Sequence, residues 1–495
     1  MSESELENSS SLLKFLSDEG LVASPEEELR RRKVVDKLNE ILRTWIKRVA
    51  FQRRLPQNSI KDASVTILPY GSYGLDVYNA DSNIDIICVG PCFASIAEDF
   101  FIVLYNMLAG RPEVSGMNCV KDAKTPLLQF TFEGILINLP LAKLQVTTVP
   151  ENLDIFNLSL SKDIDEISWT TLSGVRVKNS ILQLVPDVAR FRELLYCVKS
   201  WAKRRGLYSD LFGYFRGIHL TVLTAFVCLQ NPSASLVNLL STFFKTFALW
   251  PWPEPVAIQG ATPPPLPPGI RSMMNIQLPG SPHEYCHSNI TTSTFNKIRS
   301  EFRRGHRQTQ DPLRSQFDWR NLFETFPYSK TYLNFIKICI SSYEKDELGI
   351  WVQWVKSHIR SLLIKLEELH ALCDPNPTEY IDISIRVPNV VFYWGLVPGR
   401  GDNLDLNFAT QFFMNKLGIG FPGNMGRLTL TMVQSSQLPK KLDLADDHIK
   451  EQLKTNLSYE QRKVPVYSAH SPDYVVGYLA CNGDTGDAQY DNSVY

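Results

Sequence analysis

The sequence predicts an α+β protein: a mixed sheet with helices near the N-terminus, a helical middle, and a second region of strands. Three observations carry this. Residues 24–49 are apolar at helical spacing, whereas 65–68, 84–89, 127–132 and 135–139 are short strand-like runs. From Pro186 the pattern turns helical over 191–205, 219–229 and 234–249. Residues 380–411 return to alternation, as I-D-I-S-I-R-V and then V-V-F-Y-W-G-L.

The elements follow in order. Ser24 is placed to cap the first long helix, Pro25 suits its first turn, and Glu27 completes a capping box. Val34, Leu38, Ile41, Trp45 and Val49 form its apolar stripe. The runs 127–132 and 135–139 read as a hairpin turning near Gly134. The T-P-P-P-L-P-P run at 262–268 implies an extended, stiff connection. Two further helices are expected over 297–307 and 345–370, and residues beyond about 437 form a polar tail without a core pattern. No internal repeat is visible.

Composition bounds the partners. The 495 residues suffice for roughly two to four domains. Lys plus Arg number 51 and Asp plus Glu 52, so a nucleic acid would have to be met by local basic patches. Nine scattered cysteines without a C-x-x-C pair fit a reducing compartment. His283, Cys286 and His287 cluster, but no fourth ligand is spaced for zinc. The acidic N-terminus is no signal peptide, and the longest apolar run, 220–229, is too short to span a bilayer. A soluble, intracellular protein with no membrane partner is expected.

The chemistry concentrates in L-P-Y-G-S-Y-G-L-D-V-Y-N-A-D-S-N-I-D-I-I-C-V-G-P at 68–91. A Gly-Ser turn, Gly71 and Ser72, allows close backbone approach to a triphosphate and supplies a hydroxyl. After ten intervening residues comes N-I-D, which sets Asn83 and Asp85 on one face of a strand. The strand F-E-G-I-L-I-N-L would add a third group, Asn138. Nucleotidyl transfer relies on metal ions that clamp phosphates and activate a hydroxyl, and magnesium asks for oxygen ligands. The bland alternative is a plain hairpin beside a glycine turn.

These motifs resemble those of eukaryotic nuclear poly(A) polymerases. That family's G-S-Y-R-L-G-V…D-I-D appears here as G-S-Y-G-L-D-V…N-I-D, and its F-D-G-I-x-I-D strand as F-E-G-I-L-I-N. P-E-E-E-L-R-R-R at 25–32, C-V-G-P at 88–91, V-P-D-V-A-R-F-R at 185–192, V-K-S-W-A-K-R-R at 198–205, L-Y-S-D at 207–210 and W-P-W-P-E-P at 250–255 match in order. The similarity runs from about residue 12 to about residue 435. It implies a nucleotidyltransferase domain over 12–165, a helical nucleotide-contacting domain over 166–325, an RNA-binding domain like an RNA-recognition fold over 326–436, and a polar tail over 437–495. It also implies ATP as substrate, Mg2+ or Mn2+ as cofactor, an RNA 3′ end and the cleavage and polyadenylation complex as partners, and the nucleus as location. No long Lys/Arg block marks nuclear import. Family nucleotide contacts map to Tyr70, Gly71, Ser72, Asn79, Ile84, Lys199, Tyr208, Gly217 and Ile218. Asn83, Asp85 and Asn138 fall on the metal-ligand and catalytic positions. In the 297–307 stretch, Lys297, Arg299, Arg303, Arg304 and Arg307 are candidate phosphate contacts; a solvated charged face is the ordinary alternative.

Two of the three metal carboxylates of the resemblance are therefore amides. Gln129 stands where the family has a phosphate-contacting Lys, Asp210 where it has an Asn, and Gly74 where it has an Arg. Removing one preorganised electrostatic group costs about 10²–10³ in rate. Asp81 shares strand parity with Asp85 and is a weak substitute; Glu133 has the wrong parity relative to Asn138. Two readings stay open: template-independent transfer of AMP to RNA 3′ ends, or an inactive paralogue that binds RNA or regulates the polyadenylation machinery.

Overall fold

The computed structural model describes residues 3–121, 123–157, 163–259, 272–280, 284–310, 317–397, 404–421 and 423–439. The Pro-rich run, His283 and most of the polar tail lie outside them.

The N-terminal sheet has the order β1-β2-β5-β4-β3, with β1 Thr66–Pro69, β2 Ile84–Pro91, β3 Val114–Val120, β4 Leu127–Phe132 and β5 Ile135–Leu144. β2 and β5 run parallel; the other pairs are antiparallel. All eight residues of β2 are buried, as a central strand covered on both faces requires. Ile84, Ile86 and Cys88 pack with Trp45 and Leu42 of the Pro25–Gln52 helix, while Ile87 and Val89 pack with Leu172 and Val175 of the Glu166–Leu184 helix. The β4–β5 hairpin turns through Glu133 and Gly134, at φ +48° and +80°, as a tight two-residue turn demands.

Ser24 caps the Pro25–Gln52 helix by accepting from the Glu27 N–H at 3.2 Å. The Glu27 side chain does not close a capping box. Its carboxylate instead holds the fully buried Arg31 at 2.7 Å and Arg30 at 3.1 Å, since an ion pair to a buried guanidinium outweighs a bond to one backbone amide.

The C-terminal sheet is antiparallel, with the order β7-β8-β6-β9: β6 Asn334–Ser341, β7 Cys373–Asp374, β8 Asn389–Leu396 and β9 Arg427–Gln434. The Lys345–Glu368 and Leu406–Gly418 helices cover one face. Expectation and structure part over 380–411. Residues 381–387 form no strand: Ile383 is 96% exposed, and Asp382 accepts from the Ser384 N–H and hydroxyl in a side-chain-closed turn. Tyr380 instead runs edge-on beside β8, exchanging two backbone bonds with Val391, while its ring meets Tyr393 at 5.5 Å and Ile385 packs onto the other sheet face with Phe335. Phe335, Val391 and Tyr393 are thereby buried, so this part of the sheet offers no open aromatic platform for RNA bases.

The helical middle and the C-terminal sheet share one hydrophobic core; Phe212 meets Phe392 at 5.3 Å. A buried polar hub joins them too. Asp374 accepts from the Tyr214 hydroxyl at 2.6 Å, Lys297 at 2.8 Å and the Tyr332 hydroxyl at 2.7 Å. Arg205 and Glu301 pair bidentately beside it, at 2.8 and 2.9 Å. Replacing Asp374→Ala strands the Lys297 ammonium in the interior, which costs about 3–5 kcal/mol. Denaturant unfolding monitored by tryptophan fluorescence should show that loss; an unchanged midpoint would remove the hub from the account.

Candidate nucleotide site

Strand register builds the site. β2 pairs with β5 so that Asp85 lies beside Asn138, and β5 pairs with β4 so that Asn138 lies beside Gln129. The three side chains form one row on the face that carries Ile87 and Val89. Asn138 donates to the Asp85 carboxylate at 2.8 Å, and Gln129 donates to the Asn138 amide oxygen at 2.9 Å. A carboxylate can only accept, which fixes the direction of both bonds. Asp85 and Asn138 are 3% and 0% exposed, so these bonds satisfy polar groups that water does not reach.

Gly71 closes the row from above. Its φ is +59°, and a Cβ there would lie 2.9 Å from the second Asp85 oxygen. The Tyr70 N–H bonds the Asp85 carbonyl at 3.1 Å, tying the turn to the strand. Asn83 is half-buried just before β2. Asp81 is not on the strand: it lies exposed in a turn that Asn79 and Ser82 close with a 2.7 Å side-chain bond, so its parity with Asp85 has no meaning there. Glu133 is turned away to Lys37.

A divalent metal fits this row poorly. Among the described residues no three His, Cys, Asp or Glu side chains gather to hold one. Asp85 is the single carboxylate, one of its oxygens is taken by Asn138, and the Asn138 oxygen is taken by Gln129.

The cleft beside the row is intact. Gly71, Ser72, Lys199, Gly217 and Ile218 line it together, with Lys178 as a further cation. The N-terminus of the Gly217–Gln230 helix opens into it, which favours an anion. Lys199 reaches the Val77 carbonyl at 3.3 Å, and Lys199 and Lys203 lie 6.0 and 5.5 Å from the Tyr208 ring centroid. Ile84 does not line the cleft; its side chain lies behind the sheet with Val34 and Leu38. Asn79 spends its side-chain oxygen on Ser82.

Four residues of this region escaped the sequence reading. Arg192 and Tyr196 share a face of the Val188–Arg204 helix with Lys199, and together they hold the Leu75–Tyr78 loop. Arg192 bonds the Leu75 carbonyl at 2.9 Å and Asp76 at 2.6 Å. Tyr196 accepts from the Tyr78 N–H at 3.1 Å, with burial pushing its phenol up to about 12. Their spacing of four and then three residues was the available signal. Lys178 bonds the Pro69 carbonyl at 2.9 Å, and burial lowers its ammonium. A Cβ at Gly74 would lie 2.7 Å from that carbonyl, so this backbone has no room for an Arg there. His219 accepts from the Arg216 N–H at 3.1 Å and donates to the His287 carbonyl at 2.9 Å, which locks the helix start. Asp210 is buried, pairs with Arg216 at 2.9 Å and accepts from Asn289 at 3.1 Å; burial raises its carboxyl.

The basic stretch divides. Arg299, Arg303 and Arg307 are exposed on the Thr292–Gln308 helix. Lys297 is not a surface cation: it is 8% exposed and consumed by Asp374. Arg304 is partly buried and turned to the Leu322 carbonyl at 3.3 Å and to Glu324 at 3.4 Å. Both expected phosphate contacts are corrected, because the helix faces the core at those positions.

Sequence comparison matches residues 2–185 to the poly(A) polymerase nucleotidyltransferase domain and 190–325 to the poly(A) polymerase central domain. The chain belongs to the poly(A) polymerase family. It is 50% identical over 480 residues to nuclear poly(A) polymerase 3 of Arabidopsis thaliana, covering 95% of this chain and 94% of that protein. Nuclear poly(A) polymerase 4 of the same plant is 33% identical over 81% of this chain, and the poly(A) polymerase of Dictyostelium discoideum 35% over 83%. The chain spans 56% and 52% of those two longer proteins.

Two outcomes follow from the geometry. Gly71→Ala forces a side chain into the left-handed region and against Asp85, and should lower stability by about 1–2 kcal/mol or more; a neutral effect in thermal unfolding would contradict the close approach. Burial pushes His219 down to about 3. The unfolded chain takes up a proton near pH 6.5 that folded His219 refuses, so stability falls as pH drops below that value. His219→Gln keeps a capping acceptor and removes the titration. The gap between the melting temperatures of the two proteins should narrow or invert from pH 7.5 to 5.5; a gap independent of pH would mean that His219 takes up its proton as readily in the fold as in the unfolded chain.

Proposed function

We propose that this chain works in nuclear polyadenylation of mRNA 3′ ends as a poly(A) polymerase-family protein that binds nucleotide and RNA but has lost most of its own AMP transfer. The row Asp85–Asn138–Gln129 carries this reading. Metal-assisted phosphoryl transfer needs clustered negative oxygens to hold cations against the triphosphate, and this row holds one carboxylate already engaged by an amide. The cleft supports retained ATP binding. Lys199 meets the triphosphate as a point charge, Ser72 and the Gly71 backbone meet it as donors, and Tyr208 offers its ring to the nucleoside. RNA phosphates meet the exposed Arg299, Arg303 and Arg307. A cleavage and polyadenylation complex is the expected setting.

The second reading is slow AMP transfer from ATP to an RNA 3′ end with Mg2+ or Mn2+. The intact cleft favours it. Extension of a labelled RNA primer by this chain, beside its Asn83→Asp/Asn138→Asp variant, separates the two. The first reading expects no extension by the chain and metal-dependent extension by the variant. Extension by the unaltered chain at a rate near the variant's would overturn it.

Two further outcomes test the binding roles. Lys199→Ala should weaken ATP binding about tenfold or more in calorimetry; equal affinity would remove Lys199 from the site. Replacing Arg299, Arg303 and Arg307 by Ala together should lower the slope of log affinity for single-stranded RNA against log salt by roughly 2. An unchanged slope would return that face to solvent.

A further inference from the structure

The amide ladder links two departures from the family pattern that lie on different strands. Gln129 is half-buried on β4 and has no role in the core; its side-chain bond is to Asn138. Asn138 is fully buried on β5 and can satisfy Asp85 only with its NH2 group turned toward β2. That orientation leaves its oxygen facing β4, where an acceptor would be repelled and a donor is needed. Gln129 supplies the donor.

We propose that Gln129 is a positioning residue that acts as one unit with Asn138: it locks the Asn138 amide against Asp85, so the row is closed by hydrogen bonds with no metal required, and position 129 cannot lose its donor, nor Asn138 become Asp beside Gln129, without loss. The proposal deepens the reading of a transfer-deficient site and rests on it. Aspartate at 138 beside Gln129 sets two buried carboxylates within hydrogen-bond distance of each other, with only a neutral amide to offset them. Lysine at 129 gives that second carboxylate a counter-ion on the far side from Asp85. Reversal toward a charged row therefore has to begin at position 129, and Asn138→Asp beside Gln129 is the costly step.

A double-mutant cycle tests this in the full chain, in EDTA, by thermal unfolding. Asn138→Asp should lower the melting temperature by roughly 4–8 °C, and adding Gln129→Lys should recover at least half of the loss. Gln129→Lys alone should shift it little, because the ammonium still donates to the Asn138 oxygen. Equal and additive shifts, with no recovery in the double variant, would overturn the coupling. If Asn138→Asp fails to fold, Gln129→Leu serves: it removes the donor at a half-buried position and should lower the melting temperature, while the same change on an Asn138→Leu background should be neutral or favourable. A loss of equal size on both backgrounds would also overturn it. These readouts do not depend on catalysis. Primer extension by the unaltered chain would sink the functional reading and leave the coupling standing.

Discussion

The site depends on one constraint: the register that lays Asp85, Asn138 and Gln129 side by side across three adjacent strands. Neighbouring strands stand about 4.8 Å apart, so side chains in one row touch. Two carboxylates side by side at that spacing repel each other and are held together only by cations. A carboxylate followed by two amides can close on itself, because each amide donates on one side and accepts on the other. The chain has the second arrangement. The same backbone that would hold a metal pair therefore holds a finished hydrogen-bond chain.

Around the row, the scaffold is kept with care. The Val188–Arg204 helix grips the Leu75–Tyr78 loop through Arg192, Tyr196 and Lys199, and so sets the Gly-Ser turn relative to the Gly217–Gln230 helix. Asp76 stands where the family run has Gly, in a left-handed conformation at φ +54°, and pairs with Arg192. The cleft's framing contacts are thus in place beside the amide row. The hub at Asp374 does the same for the helical middle and the C-terminal sheet, which behave as one packed body.

Much of this was legible in the sequence. The sheet strands around Ile84 and Asn138 were visible because they are short, apolar and bounded by turns, and the ordered motifs pointed to the family. Helices with a clear apolar stripe, such as 25–52, were visible for the same reason. The Glu3–Asp18 helix was hidden by its polar composition, and the Leu406–Gly418 helix by aromatic residues that read as strand. The alternation at 381–387 misled because Ile381 and Ile383 point to solvent from a turn. At the site, the amide identities of Asn83 and Asn138 were plain, but their consequence was not. Only the register shows that Gln129 is the partner of Asn138. Likewise, charge alone made Lys297 look like a surface cation, and only Asp374, distant in sequence, explains its burial.

The most direct test is Mn2+ binding to the purified chain, followed by electron paramagnetic resonance, beside the Asn83→Asp/Asn138→Asp variant. The account predicts that the chain leaves the free Mn2+ signal unaltered at micromolar metal and that the variant depletes it. Stoichiometric depletion by the unaltered chain would contradict the closed amide row.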